Sequence, residues 1–252
     1  EVTADLVRVP KERLLQSASE RLQRMEQELS ETVVGHDENM RIVAATVRRN
    51  HAGFAAQRPI GSFLFLGPTG VGKTETAKAL ADFLFDTRDA LTQIDMSEFV
   101  EQHSLARLIG SPPGYVGHEA GGQLTDSVRH RPYQVVLLDE VEKAHIDVLK
   151  VLLQILEEGR LTDGRGRTVS FSNTVVLLTS NLGAGRFGSP TATGTWRRPA
   201  GFAVGGADDG LDERVDSGLT EAVLGDAREH FPPELWNRIE EKLVFTPLSK
   251  KD

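Results

Sequence analysis

Apolar residues in this chain fall into two rhythms, and the order in which they alternate lays out an architecture. The run Phe63-Leu64-Phe65-Leu66 has no polar position between its apolar ones, so it reads as a strand buried on both faces. Further strands are predicted at 91–95, 135–139, 174–179 and 242–245, with helical or loop stretches between them, the clearest helix at 75–85. Strands alternating with helices imply a parallel sheet covered on both sides, an α/β fold of three layers, α/β/α. Ahead of the first strand, Leu15, Leu22, Met25 and Leu29 share one face of a helix expected over 10–31, packed on the domain edge. A second helical stretch is expected over 38–51. The organisation read from this is a helical connector over 1–31 and one large domain over 32–252. Residues 183–218 interrupt the pattern: rich in Gly, Pro, Ser, Thr and Ala, they are expected to form an insertion that is mostly mobile loop. The chain stops at Asp252, soon after a strand and Pro247, which suggests a fragment.

The loop after the first strand carries the strongest chemistry. Gly67-Pro68-Thr69-Gly70-Val71-Gly72-Lys73-Thr74 matches Gly-x-x-x-x-Gly-Lys-[Ser/Thr] and lies between a predicted strand and a predicted helix, the context that motif requires. The glycines let backbone N–H groups turn inward around a triphosphate. Lys73 is placed to reach the outer phosphates and the Thr74 hydroxyl to hold Mg²⁺. The helix N-terminus adds partial positive charge beneath the anion. The bland alternative, an ordinary glycine-rich turn, does not account for the strand and helix flanks. ATP and Mg²⁺ are therefore the expected cofactors. A second glycine pattern, Gly183-Ala184-Gly185-Arg186-Phe187-Gly188, fits the dinucleotide fingerprint, but Ser189-Pro190-Thr191 opens no helix behind it, so a turn is expected there.

Two acids follow the strand Val135-Val136-Leu137-Leu138: Asp139, placed to orient Mg²⁺, and Glu140, placed to take a proton from the attacking water. Thr179-Ser180-Asn181 ends the next strand, where the Asn181 amide is either a cap or turn residue or the group that aligns water with the γ-phosphate. Arg238 reads either as a surface arginine paired with Glu240 or Glu241, or as a finger that reaches the ATP of a neighbouring subunit.

Composition narrows the picture by exclusion. The chain has 252 residues, 39% hydrophobic and 26% charged, the proportions of one large α/β domain or one with an appendage. With no cysteine there is no disulfide framework, thiolate zinc site or cysteine nucleophile, and the seven histidines show no ligand spacing. A net charge of −8 argues against a basic nucleic-acid face. No apolar run approaches the ~20 residues of a membrane span and no signal peptide opens the chain, so no membrane partner and a cytoplasmic location are expected.

The phosphate loop, Asp139-Glu140 followed by Val141-Glu142-Lys143-Ala144-His145, Thr179-Ser180-Asn181 and Asn237-Arg238-Ile239 together resemble the Clp family of AAA+ unfoldases, specifically the large subdomain of the second ATPase module. The resemblance runs from about residue 9 to 248, apart from 183–218. It implies an AAA+ P-loop NTPase within a homo-hexameric ring that unfolds and threads unfolded or tagged proteins. It also implies that Gly114-Tyr115-Val116-Gly117 is a pore loop whose aromatic grips polypeptide, and an aromatic between glycines makes a mobile apolar paddle. Taken alone, those four residues read as a tight turn with a half-buried Tyr. The segment 159–167 resembles the second pore loop, and Val33-Val34-Gly35-His36 the segment that packs on adenine, with His36 where the family commonly has Gln. The resemblance also implies a small helical subdomain after the large one, and this chain is expected to stop before it. Peptidase-coupled members carry a docking tripeptide after the position of Asn181. Here Gly201 and Phe202 are expected to play that part, although Ala200 replaces the usual larger aliphatic and an incidental Phe in a loop is the alternative. The function expected is an ATP-driven unfoldase that feeds a Clp peptidase. The alternative is a ClpB-like disaggregase without a peptidase, and the rivals from other classes are a nucleic-acid-dependent AAA+ motor and a nucleotide-gated interaction module.

Overall fold

A computed structural model of the chain describes residues 11–54, 57–111, 114, 121–190, 196–197 and 209–247. Helix α1 spans Lys11–Thr32 and α2 spans Asp37–Arg49, which runs on into a π turn at Asn50–Phe54. Strand β1 (Gly61–Leu66) leads through the glycine loop into α3 (Lys73–Phe85) and β2 (Leu91–Asp95). Short helices α4 (Leu105–Ile109) and α5 (Gln123–His130) precede β3 (Gln134–Asp139) and α6 (Ile146–Glu158). A hairpin of β4 (Arg160–Thr162) and β5 (Thr168–Ser170) comes before β6 (Thr174–Ser180). The pair β7 (Ser189–Pro190) and β8 (Trp196–Arg197) is followed by α7 (Asp209–His230), α8 (Pro233–Arg238) and β9 (Glu241–Val244).

The main sheet has the order β2-β3-β6-β1-β9, and every neighbouring pair is parallel. The predicted strands match the observed ones to within two residues. Period-two alternation divides the core. Phe63, Phe65, Val135, Leu137, Val175 and Leu177 face a layer built from α1, α2 and α3. Their neighbours Leu64, Leu66, Val136, Leu138, Val176 and Leu178 face α5, α6, α7 and α8. The three-layer α/β/α architecture is thus present, and its central strands β1, β3 and β6 are apolar on both faces because both faces are covered.

Parallel pairing brings the strand ends to one edge: Leu66 lies opposite Ser180, and Asp95 opposite Asp139. Functional groups on the loops leaving that edge converge in space, the usual place for a ligand in an open α/β sheet.

Two regions differ from the sequence expectation. Helix α1 is built into a layer rather than lying on the domain edge: Met25 and Leu29 are fully buried with Met40, Val47 and Leu80. Arg21 clips it to α3 by donating to the Phe83 carbonyl and to Asp86 Oδ1 at 2.6 Å. The stretch 183–218 is structured at both ends. A 3₁₀ turn occupies Ala184–Phe187, and α7 begins at Asp209, nine residues before the expected loop ends. Loop-like composition lost to tertiary contacts: Phe187, Val223 and Ala227 are buried together, and Arg186 makes a bidentate pair with Asp226 at 2.6 Å. As expected, Gly183-Ala184-Gly185-Arg186-Phe187-Gly188 forms a turn and opens no phosphate-binding helix. Among the described residues, no helix is long and apolar enough to cross a membrane.

Candidate active site

The phosphate loop leaves β1 between two strand ends. Gly67 donates its N–H to the Ser180 carbonyl at 3.2 Å, and the Leu66 carbonyl accepts from Phe245 N at 2.7 Å. Gly67, Gly70 and Gly72 all have positive φ (139°, 83° and 104°), a turn of the backbone that side chains oppose. Pro68 and Val71 are buried, while Thr69 and Gly70 stand exposed at the crest of the loop. Thr74, half-buried, sits in the first turn of α3, where the free N–H groups of a helix start point outward.

Lys73 is 8% exposed, and its ammonium is held by acceptors of the loop and its neighbour strand. It donates to the Gly67 carbonyl, to Pro68 O at 3.0 Å, to Ser180 O at 3.4 Å and to Asn181 Oδ1 at 2.9 Å. Burial pushes its pKa down to about 8, while the nearby carboxylates of Asp139, Glu142 and Glu140 act in the opposite direction.

On β3, the strand beyond β6, Asp139 Oδ1 accepts from the Thr179 hydroxyl and Oδ2 from Gln93 Nε2 at 3.3 Å. Glu140 follows in the left-handed region at φ 55°, ψ 48°, a conformation that costs a non-glycine residue roughly 1–2 kcal/mol. Three bonds hold it there. Its N–H donates to Thr179 Oγ1 at 3.1 Å, its Oε1 accepts from Asn181 Nδ2 at 3.0 Å, and its Oε2 pairs with Lys143 Nζ at 2.5 Å. Asn181 therefore joins Lys73 to Glu140 through the two ends of one amide. Lys73, Asp139, Glu140 and Asn181, each singled out in the sequence, are brought together. Gln93, Thr179 and Lys143 belong to the same cluster and were not assigned roles from sequence. The signal available for Thr179 was a hydroxyl closing a buried strand beside the acidic one.

The segment expected at adenine lies against the loop. Val33 is 4% exposed and Val34 is 52% exposed, so one valine packs inward while the other faces solvent. His36 donates from Nε2 to the Val71 carbonyl at 2.9 Å and lies 4.6 Å from the Phe245 ring. A Cβ added at Gly72 would lie 3.9 Å from both Val33 and His36, ordinary contact distance.

Arg238 does not pair with Glu240 or Glu241, which corrects the bland half of the sequence expectation. Its Nη2 lies 2.5 Å from Glu157 Oε1 on α6. Glu240 accepts from Asn50 and Ser62 N, and Glu241 from Thr46, so both acids are engaged elsewhere. Arg238 precedes the amino end of β9, whereas the phosphate loop leaves the carboxy end of the parallel neighbour β1. The two therefore lie off opposite edges of the sheet.

Gly114 is exposed at φ 92°, while Tyr115, Val116 and Gly117 lie outside the described residues, as do Gly201 and Phe202. Gly110 and Gly121 are joined by an isolated antiparallel bridge, a stem of two residues. The β4–β5 hairpin abuts that stem: Gly164 N donates to Ile109 O at 2.9 Å, and a Cβ on Gly164 would meet Gly110 O at 2.2 Å. Asp163, 6% exposed, staples the hairpin turn by accepting from Arg165 N at 2.9 Å, Arg167 N at 2.8 Å and Arg167 Nε at 2.8 Å.

The family model described as AAA domain (Cdc48 subfamily) matches residues 58–242, from just before β1 to within β9. The chain belongs to the AAA domain family. Over 251 residues this AAA domain is 51% identical to "Chaperone protein ClpB" of Vibrio vulnificus (strain YJ016), and it covers 99% of this chain and 27% of that protein. It is 52% identical over 245 residues to "Chaperone protein ClpB" of Mesorhizobium japonicum, with 97% of this chain and 26% of that protein covered. The chain thus spans about a quarter of the length of the curated relatives it matches. A solved structure described as the closed state of Hsp104 with ATPyS and FITC casein superposes with a TM-score of 0.78 at 40% identity, covering 98% of this chain and 39% of that one. An S. cerevisiae Hsp104-ADP complex gives the same TM-score and identity over 98% of this chain and 40% of the other. The Clp-family resemblance carried by the motifs is borne out, and so is the AAA+ α/β fold.

Proposed function

We propose that this AAA domain is an ATP-hydrolysing module of a ClpB-like chaperone that remodels proteins as a hexameric ring in the cytoplasm. The observation that carries the reading is the chain of contacts from Lys73 through Asn181 to Glu140. It joins the cation of the phosphate loop to the carboxylate suited to accept a proton from water, which are the two groups that P-loop hydrolysis must coordinate.

In this reading the loop amides from Gly67 to Gly72 and Lys73 bind the β- and γ-phosphates, Glu140 takes the proton of the attacking water, and Asn181 orients that water. Val33 and Val34 supply apolar contact to the base. Thr74 and Asp139 present the hard oxygens that a magnesium ion selects, and the described residues contain no cluster of three or more metal-ligating side chains. That donor set fits an ion that takes its remaining ligands from phosphate and water. When bound, such an ion neutralises charge on the phosphate oxygens.

Arg238 is proposed to complete the site of a neighbouring subunit. Its position off the opposite edge of the sheet supports action across an interface, and its pair with Glu157 is a solvent-exposed one, worth roughly 0–1 kcal/mol and so easily exchanged. Arg238→Ala is expected to lower ATP turnover by about a thousandfold or more while nucleotide affinity is retained. A fall in affinity with unchanged turnover per bound ATP would refute the finger.

Protein substrates enter the proposal through the relatives: those at 51–52% identity are named chaperones, and one similar structure was described with casein. These names favour a chaperone that works without a peptidase over the peptidase-feeding role expected from Gly201 and Phe202. With ATP and no peptidase, the intact protein is expected to recover an aggregated reporter enzyme. Tyr115→Ala should keep ATP hydrolysis yet recover little, because the apolar paddle that grips polypeptide is gone. Equal recovery by that variant would return Tyr115 to a turn residue. Degradation with added Clp peptidase that requires residues 199–204, with no recovery in its absence, would restore the peptidase reading.

A further inference from the structure

Three carboxylates lie within four positions at the end of β3 and the turn after it, and hydrolysis as proposed above uses only Asp139 and Glu140. We infer that the third, Glu142, is a positioning residue that sets the Asn181 amide, and through it both Lys73 and Glu140. The inference rests on the ATPase reading. Val141, fully buried, pins a 3₁₀ turn over Val141–Lys143, closed by Lys143 N donating to Glu140 O at 3.0 Å and Ala144 N to Val141 O at 3.2 Å. The turn delivers the Glu142 side chain to the end of β6, where its Oε1 accepts from Asn181 N at 3.0 Å. That N–H is the first one past the strand, which ends at Ser180, so the carboxylate takes the place of a ladder partner. A bond to an ionised acceptor is about twice as strong as a neutral one, which suits a fixed pivot.

The other oxygen, Oε2, is buried without a hydrogen-bond partner. The geometry specifies what the bonded oxygen does. The Asn181 side chain must present Oδ1 to the Lys73 ammonium at 2.9 Å and Nδ2 to Glu140 Oε1 at 3.0 Å, and only one orientation of the amide satisfies both. Fixing the backbone N–H of the same residue fixes where that amide starts.

The test measures ATP turnover, KM and thermal melting of the intact protein carrying Glu142→Ala, Glu142→Gln, Glu142→Asp, Asn181→Ala and the double variant Glu142→Ala/Asn181→Ala. Glu142→Ala is expected to lower kcat by about tenfold to a hundredfold, with a smaller change in KM. Glu142→Gln, which keeps an acceptor oxygen at the same reach, should recover most of that loss. Glu142→Asp, which keeps the charge but is one methylene short, should not. The double variant should be no slower than Asn181→Ala alone, because the two residues act through one amide. If Glu142→Ala fails to fold, the contrast between Gln and Asp carries the test. Wild-type kcat in Glu142→Ala, a lowered melting point with no change in kcat, equal kcat in the Gln and Asp variants, or losses that multiply in the double variant would overturn the inference. Wild-type turnover in Asn181→Ala would overturn it together with the role given to Asn181. A slow Asn181→Ala beside a normal Glu142→Ala would remove Glu142 alone.

Discussion

Glu140→Gln is expected to bind ATP with near-native affinity and to lose turnover by roughly a hundredfold to ten-thousandfold, the range spanned by a positioned general base. The reason lies in how the cluster divides its work. In the proposed site phosphate contacts are assigned to the loop and Lys73, whose four acceptors do not include Glu140. A glutamine at 140 still has an oxygen to accept from Asn181 Nδ2, so the amide that links the two sides keeps its place. The variant loses only the basic carboxylate and its ion pair with Lys143. Nucleotide titration and phosphate-release rates on the same preparation separate the two effects. Turnover at the wild-type rate would remove Glu140 from the chemistry, and a matching fall in affinity would mean that it binds nucleotide rather than activating water.

A second large effect is expected from Gly67→Ala, through stability as well as binding. At φ 139° the backbone of residue 67 occupies a region that L side chains avoid, and a Cβ there would lie 2.2 Å from the Phe245 carbonyl oxygen. That oxygen cannot retreat freely. Phe245 N is bonded to Leu66 O at 2.7 Å, and its ring packs 4.8 Å from Phe65 and 4.6 Å from His36. Relief must come from moving the end of β9 or the start of the phosphate loop, so the variant should be destabilised by roughly 3 kcal/mol and bind nucleotide poorly. Gly70→Ala is the control, because its φ of 83° meets open space and leaves backbone strain alone, about 1–2 kcal/mol. Denaturant unfolding of the two variants decides the point. Equal midpoints would mean that the approach of Phe245 to the loop is not a constraint on the fold.

How legible each feature was follows from how local its causes are. The strand-loop-helix of the phosphate site could be read directly, because glycines, lysine and threonine within eight consecutive residues contain its whole geometry. Continuous apolar runs marked the three central strands β1, β3 and β6, since burial on both faces removes the polar alternation that would otherwise blur them, whereas the edge strands β2 and β9 carry polar and charged residues. The helix from Asp209 was not legible: Gly210 and Gly218 argue for a loop, and the contacts of Val223 and Ala227 with the sheet face outweigh them. Arg238 had Glu240 and Glu241 within reach along the chain, yet Glu157 on another helix took it, because Glu240 and Glu241 were already bound by Asn50, Ser62 and Thr46.

By itself, then, the sequence determined the layered α/β class, the phosphate loop, the acids after β3 and the family, all of them features encoded in short contiguous stretches. Tertiary structure alone decided the strand order β2-β3-β6-β1-β9 and with it the active cluster. Asp139 and Thr179 meet because β3 and β6 are neighbours, and Lys73 reaches Asn181 because β1 lies on the other side of β6. No local pattern encodes those adjacencies. They follow from which strand order buries both apolar faces at once, a property of the whole chain.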